Sequence, residues 1–288
     1  MGKPSYDIEG RDWPHREASR FIEAGGVRWH VQVAGEGPDI LLLHGTGAAT
    51  HSWAPLWPLL VPHGRLIAVD LPGHGFSGRG DLRLPGMARG VAALLPALGV
   101  EPALLVGHSA GAAVAVQLAL DGMRAPILSI NGSLLPFPGV AGLLFPAAAK
   151  LLFLNPLTPR MFALRARLPG EVGRFMARAT GSRIPEPQVA LYARLLATSG
   201  HVGAALGMMA NWDLEALAAR LPTLDMPLTL IAGEKDAAVP ADVARQVAAK
   251  VPGAEVVMLP GVGHLAHEEA PHLVAPYIIR ALTGGRDG

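Results

Sequence analysis

The sequence predicts an α/β protein with a mostly parallel sheet, helices on both faces of the sheet, and an inserted helical cap. Two features of the chain predict this fold. Short, continuously apolar runs alternate with longer segments of helical spacing, which is the pattern of a sheet buried on both faces. The alternation then breaks between about Leu134 and Trp212, where the chain is rich in Leu, Phe, Met and Pro and has no buried-strand pattern.

The first predicted elements are a hairpin, two buried strands and a helix. The run FIEAGGVRWHVQVAG alternates about a Gly-Gly turn, as an antiparallel hairpin does. The runs DILLLHG and RLIAVDLPGHG are apolar up to a glycine, so each predicts a strand covered on both faces. The next segment, LPGMARGVAALLPALGV, has helical spacing and should end at Gly99.

The later elements repeat the alternation around the break. PALLVGHS predicts a strand, AGAAVAVQLALDG a helix and PILSING another strand. After the break, MPLTLIAGEKD and AEVVMLPGVGH predict strands on either side of the helix PADVARQVAAKVP, and the last helix should span Pro271 to Leu282. We therefore expect a core of residues 1–133 and 213–288 and a cap of residues 134–212.

Composition excludes several classes of function. Half of the 288 residues are hydrophobic and 16% are charged, which favours a large core over disorder. A formal charge of +1 gives no reason to expect nucleic-acid binding. The chain has no cysteine, which excludes disulfides, thiolate catalysis and Cys-ligated zinc. The N-terminus lacks the apolar stretch of a secretory signal, and prolines interrupt the longest uncharged run, so we expect a cytoplasmic protein without a spanning helix.

Ser109 is the candidate nucleophile. It is the centre of the segment GHSAG, which fits G-x-S-x-G and lies between a predicted strand and a predicted helix. A nucleophile on such a sharp turn adopts a strained backbone conformation and needs small neighbours, and the helix N-terminus behind it favours developing negative charge. The alternative is a tight turn whose small residues only allow helix–strand packing. Ser77, in GFSGRG, lacks the second glycine and follows no strand, so we interpret it as a loop residue.

A serine hydroxyl needs a base, and the base needs an orienting acid. His264 follows the last predicted strand, and Asp236 follows the strand before it. The chain order serine, aspartate, histidine is the order of one known triad arrangement. Glu234 is the alternative acid and His267 the alternative base, while Asp236 could instead cap the helix that follows.

Acyl transfer also requires an oxyanion hole, and two backbone N–H groups are placed to form one. The first belongs to Ala110, directly after the serine. The second is expected from Thr46, in the loop LLLHGTGAATHSW, where Gly45 and Gly47 let the backbone turn inward.

Two cofactor alternatives fit the residues poorly, so we expect no cofactor and no metal. The loop segment GTGAAT lacks the third glycine of a dinucleotide loop, and Asp70 is better interpreted as a structural turn residue. A histidine-rich group near the C-terminus matches neither H-E-x-x-H nor H-x-x-E-H. Its members are His264, His267, Glu268 and His272.

The motifs resemble two known groups of proteins. The segments HGTGAATHSW, DLPGHGFSG, GHSAGAA and GHLAHEEAP resemble the α/β-hydrolase superfamily across nearly the whole chain. More specifically, WPHREASRFIEAGGVRWHVQ, NGSLLPF, GHVGAALGMMANWDL and GHLAHEE are similar to magnesium chelatase accessory proteins of bacteriochlorophyll biosynthesis. The first resemblance implies a hydrolase fold with Ser109, Asp236 and His264 as its triad. The second implies a role near magnesium insertion into protoporphyrin IX in phototrophic bacteria, and contact with the chelatase, but no defined reaction.

The predicted cap supplies candidate substrate contacts and an excess of positive charge. Its large apolar residues suit a hydrophobic ester or a flat tetrapyrrole, with packing against the core as the alternative for each: Phe145, Phe153, Met208, Met209 and Trp212. Residues 134–212 carry eight basic and two acidic side chains, a net charge of +6. We expect the arginines, Arg165 and Arg167 among them, to meet ligand carboxylates or an anionic membrane surface, or else to face water.

The sequence thus predicts an esterase-like serine hydrolase. The alternative is a non-catalytic accessory protein that uses the same fold to bind or deliver a porphyrin.

Overall fold

A computed structural model describes residues 2–136, 155 and 157–284. Within them, eight strands form one sheet in the order β1-β2-β4-β3-β5-β6-β7-β8. The first two pairs in this order, β1–β2 and β2–β4, are antiparallel, and every later pair is parallel. The strands are β1 Ser19–Ala24, β2 Val27–Ala34, β3 Asp39–Leu43, β4 Arg65–Val69, β5 Pro102–His108, β6 Ile127–Ile130, β7 Leu228–Gly233 and β8 Glu255–Leu259.

The helices follow the strands in the predicted alternation. In the described part of the chain they are α1 Trp57–Leu60, α2 Leu84–Leu98, α3 Ala110–Leu120, α4 Thr158–Arg165, α5 Glu171–Thr180, α6 Glu186–Leu196, α7 Ser199–Ala210, α8 Leu214–Arg220, α9 Asp242–Ala248, α10 Ala266–Glu269 and α11 Pro271–Leu282. Helix α2 ends as predicted, because Gly99 adopts a left-handed conformation with φ of 61°. The α/β fold predicted from the sequence is confirmed.

The sheet separates two hydrophobic clusters. Successive residues of β3 point to opposite faces, so Leu41 and Leu43 join the cluster under α2, α3, α8 and α9, whereas Ile40 and Leu42 join the cluster under α1 and α11. All five residues of β3 are buried. The continuous apolar run that predicted this strand therefore reflects burial on both faces.

Helices α4 to α7 lie between β6 and β7 in the chain, where the alternation breaks. Residues 137–154, which include Phe145 and Phe153, lie outside the described part. The domain limits at 134 and 212 stay a prediction. No helix within the described residues is long and apolar enough to cross a membrane.

Candidate active site

Ser109 occupies a strained turn at the carboxyl edge of the sheet. It joins β5 to α3 with φ of 51° and ψ of −116°, which is unusual for a residue with a side chain. Hydrogen bonds hold this turn. The Ser109 N–H donates to the Ile130 carbonyl at 3.0 Å, and the Ser109 carbonyl accepts from the N–H groups of Ala112 and Ser133, each at 3.1 Å.

The small residues around Ser109 are required by close packing. A Cβ atom added to Gly111 would overlap the Leu43 carbonyl oxygen, and one added to Gly107 would overlap the backbone of Ala112. Helix α3 therefore begins directly against β3. The close packing of small residues and the proposed role of Ser109 do not exclude each other. The packing of α3 against β3 forms the turn in which Ser109 lies.

His264 and Asp236 form a hydrogen-bonded pair at the same edge. Asp236 Oδ2 lies 2.7 Å from His264 Nδ1, and the two side chains are only 1% and 9% exposed. The other oxygen, Oδ1, accepts from the N–H groups of Ala238 and Val239, each at 2.8 Å. Asp236 thus both orients the histidine and stabilises its own turn, while the alternative acid Glu234 is exposed.

The backbone of His264 is fixed from three sides. Its N–H donates to the Thr180 carbonyl at 2.8 Å. Its carbonyl accepts from His108 Nε2 at 2.9 Å and from Asn131 Nδ2 at 2.7 Å. These contacts connect the loop that carries His264, here called the histidine loop, to strand β5, to the end of β6 and to the end of helix α5.

Asn131 is a positioning residue that the sequence did not identify. Its Oδ1 accepts from the Gly233 N–H at 2.7 Å, so its amide links the ends of β6 and β7 to the histidine loop. The residue is buried and has φ of 47°. The sequence holds one signal for this role: Asn131 directly follows a buried strand and precedes Gly132. Asparagine tolerates a left-handed backbone conformation at such a strand end.

Ser109 Oγ and His264 Nε2 do not form a hydrogen bond with each other within the described part of the chain. His108, the residue before Ser109, nevertheless contacts His264 directly. Such nucleophile–base contacts are often long in ligand-free proteins and tighten when substrate binds.

The loop after β3 passes over the nucleophile. A Cβ atom added to Gly45 would lie 3.0 Å from Ser109 Cβ and 2.8 Å from His108 Nδ1. The N–H groups of Thr46 and Ala110 donate no hydrogen bond to any described residue. Neither N–H is therefore committed to a hydrogen bond within this part of the chain.

Helix α7 holds this loop from above. Thr46 Oγ1 donates to Met208 Sδ at 3.4 Å. His201 Nε2 donates to the Gly47 carbonyl at 2.9 Å, and its Nδ1 accepts from the Gly75 N–H at 3.1 Å. Burial lowers the pKa of His201 to about 4, which favours the neutral ring that this donor–acceptor arrangement needs.

A cavity of about 610 Å³ opens beside the loop. Of the candidate triad and oxyanion-hole residues only Thr46 lines it, and Phe162, Phe175 and Met209 contribute apolar walls. Its charged lining residues are Arg165, Glu171, Arg174 and Arg178. The volume lies within the ordinary range of small-molecule sites.

The predicted substrate contacts fall in different places. Met209 lines the cavity, but Met208 is fully buried in the core cluster, and Trp212 packs against that cluster away from the cavity wall. Phe145 and Phe153 lie outside the described residues. Phe162 and Phe175, which line the cavity, did not stand out in the sequence.

The alternative residues have other partners. His267 lies 2.8 Å from Ser52 Oγ, and burial lowers its pKa to about 3. Ser77 Oγ accepts from the His30 N–H at 2.8 Å. Asp70 pairs with His30 at 2.7 Å and accepts from two backbone N–H groups, as a structural turn residue does.

Comparisons with known proteins agree with this architecture. The model of the alpha/beta hydrolase family matches residues 40–277. The magnesium-chelatase 30 kDa subunit of Rhodobacter capsulatus is 40% identical over 282 residues, which cover 95% of this chain and 97% of that one. The pimeloyl-[acyl-carrier protein] methyl ester esterase of Xanthomonas campestris pv. campestris is 32% identical, over 82% of this chain and 91% of its own.

Solved structures show the same fold at lower identity. The epoxide hydrolase CorEH superposes with a TM-score of 0.78 at 23% identity and covers 93% of this chain and 99% of that chain. The esterase EaEST from Exiguobacterium antarcticum superposes with a TM-score of 0.75 at 18% identity, over 91% of this chain and 98% of its own. The sheet, the serine turn and these matches together establish that the chain belongs to the alpha/beta hydrolase family.

Proposed function

We propose that this protein is a serine hydrolase that cleaves carboxylic esters. The supporting observation is the buried Asp236–His264 pair, 2.7 Å apart, at the same edge of the sheet as a serine in a strained turn. A base oriented by an acid is what activates a serine hydroxyl. An aspartate nucleophile, which other chemistry on this fold would need, does not occupy position 109.

In the first half-reaction, Ser109 Oγ attacks the ester carbonyl and passes its proton to His264 Nε2. The N–H groups of Thr46 and Ala110 stabilise the oxyanion of the tetrahedral intermediate. The carbon–oxygen ester bond then breaks, and His264 returns the proton to the leaving alcohol. Asp236 holds the ring and stabilises its protonated form.

In the second half-reaction, water attacks the acyl-serine. His264 takes a proton from the water, and the oxyanion occupies the same two N–H groups. Collapse of the intermediate breaks the acyl–Ser109 bond, with the proton returning to Oγ. The carboxylic acid then leaves through the cavity.

The cavity supports a hydrophobic substrate. Its aromatic and methionine side chains adapt to a large apolar group, while Arg178 can meet an anionic substituent. The 40% identity with a magnesium-chelatase subunit supports a role in bacteriochlorophyll biosynthesis in a phototroph, near magnesium insertion, with a tetrapyrrole ester as one candidate substrate.

Turnover of p-nitrophenyl esters of increasing acyl length tests the activity. We expect hydrolysis by the wild-type protein and a loss of at least about a thousandfold in kcat in Ser109→Ala. Equal turnover by both proteins would contradict the proposal.

The alternative function is that of a non-catalytic protein that binds or delivers a porphyrin to the chelatase. The name of the Rhodobacter relative favours it, because that name describes a subunit and not a hydrolase. Titration with protoporphyrin IX, followed by its absorbance, separates the two. A shift without ester turnover, and unchanged in Ser109→Ala, would favour the binding protein.

A further inference from the structure

The cap helices expose a group of large apolar side chains. Nine such side chains are exposed in the described chain, and six of them lie between residues 157 and 175, just before α4, on α4, on α5 and in the turn between the two helices. Isolated exposed apolar residues are ordinary, but a contiguous group indicates an interaction surface. These six, here called the cap patch, are 44% to 68% exposed: Leu157, Met161, Phe162, Leu164, Leu168 and Phe175.

The surface around the cap patch is basic. Residues 157–178 contain five arginines and one acid, a net charge of +4. That acid, Glu171, pairs with Arg165 at 2.7 Å and with Arg174 at 2.5 Å. Arg160 and Arg178 have no carboxylate partner among the described residues. The patch therefore combines exposed apolar side chains with cations that lack a counter-charge.

This combination fits an anionic lipid surface. Apolar side chains enter the boundary between headgroups and acyl chains, while arginines bind the lipid phosphates. A second copy of the chain fits less well, since two faces of charge +4 would repel each other. We propose that the cap patch and its arginines dock this protein on an anionic membrane.

The cavity opens within this docking surface. Phe162 and Phe175 belong both to the cap patch and to the wall of the cavity, which Thr46 also lines. Docking would place the cavity mouth against the bilayer and give an apolar substrate a route that avoids water. This route rests on the proposed hydrolase function, whereas docking itself does not.

Vesicle co-sedimentation tests the proposal. The probes are phosphatidylcholine vesicles with and without phosphatidylglycerol, at low and high ionic strength. We expect binding only to the anionic vesicles, weakened by salt, and equal binding by the wild-type protein and Ser109→Ala. Equal binding by these two separates docking from catalysis, because the result does not depend on turnover.

Two double variants outside the cavity wall test the patch itself. Arg160→Gln with Arg167→Gln should weaken the partition coefficient about 30-fold, since each arginine near an anionic surface contributes about fivefold. Met161→Gln with Leu164→Gln should weaken it comparably through lost apolar burial. Leu59→Gln with Leu273→Gln, and Arg89→Gln, change exposed residues elsewhere and should bind as the wild type does.

Two outcomes would overturn the proposal. The first is no binding to anionic vesicles at low salt. The second is binding that both double variants leave unchanged.

Discussion

The backbone N–H of His264 donates a hydrogen bond of 2.8 Å to the carbonyl oxygen of Thr180, the last residue of helix α5. The adjacent Leu265 N–H donates to Ser182 Oγ, also at 2.8 Å. The histidine loop is thus hydrogen-bonded to the helix whose Phe175 and Arg178 line the cavity. A displacement of α5 would move the candidate base as well as the cavity wall.

Ser182→Ala tests this connection. The change removes the acceptor of the buried Leu265 N–H, which should lower the free energy of unfolding by about 1–3 kcal/mol. His264, next to Leu265, should then be held less firmly. We therefore expect kcat for p-nitrophenyl esters to fall about 10- to 100-fold, with little change in KM. Chemical denaturation and steady-state kinetics measure the two effects.

Thr223→Ala is the matched control for that variant. Thr223 is exposed, and its hydroxyl bonds only a nearby carbonyl, that of Arg220. It should leave kcat unchanged. A kcat for Ser182→Ala equal to that of the control would contradict a positioning role.

Asp236→Asn tests the orienting acid. The side-chain oxygen of asparagine can still accept from Ala238 and Val239, so the turn should persist. The ring of His264 loses the carboxylate that stabilises its protonated form, and we expect kcat to fall about 10⁴-fold. Glu234→Gln, at an exposed acid two residues earlier, should retain full turnover, and a similar loss in both variants would contradict the assignment.

Gly111→Ala tests the packing that presents Ser109. The added methyl group would overlap the Leu43 carbonyl, so the helix must move away from β3 at a cost of about 1–3 kcal/mol or more. Gly173→Ala on α5 is the control, because its new Cβ would meet Val189 at an ordinary 3.5 Å. That change should stabilise the protein by about 0.5–1 kcal/mol. Thermal unfolding of the two variants in parallel checks the opposite signs.

Glu268 predicts a specific pH dependence of stability. Burial raises its pKa to about 7, against the opposing hydrogen bonds from Ser52 and Tyr192. Because the folded protein binds this proton more tightly than the unfolded chain does, the contribution of Glu268 is present below pH 4.5 and lost as pH rises through 7. The loss amounts to about 3 kcal/mol.

Glu268→Gln isolates that contribution. Glutamine mimics the neutral acid and keeps an acceptor for Ser52 and Tyr192. The variant should therefore gain stability relative to the wild type between pH 4.5 and pH 7, as measured by urea unfolding. A buried histidine such as His51, whose pKa burial lowers to about 3, opposes this trend in both proteins and cancels in the difference. A difference that stays constant with pH would contradict the assignment.

The sequence predicted those features of the fold that depend on local patterns. Apolar runs ending in glycine predicted β3 and β4, and the Gly-Gly turn predicted the β1–β2 hairpin. The positions of Ser109 and of the Asp236 and His264 loops followed from the same strand ends. Glycine and alanine around the serine indicated the close packing of α3 against β3.

The sequence did not predict contacts between distant segments. The side chain of Asn131 hydrogen-bonds to residue 264, and that of Ser182 to residue 265. The partners are far apart in the sequence, so no local pattern predicts these contacts. Met208 and Met209 are neighbours on one helix and point about 100° apart, and here only Met209 reaches the cavity wall. The predicted pair therefore divides between the core and the cavity wall.

Labelling with a fluorophosphonate tests the central claim most directly, because the reagent phosphonylates an activated serine, with loss of fluoride, and leaves an ordinary serine unmodified. We predict that the purified wild-type protein gains one label, located on Ser109 by peptide mass spectrometry. Labelling should vanish in Ser109→Ala, fall sharply in His264→Ala, and persist in His272→Ala, where an exposed histidine is changed. An unlabelled wild-type protein, or a label that survives in Ser109→Ala, would contradict the account.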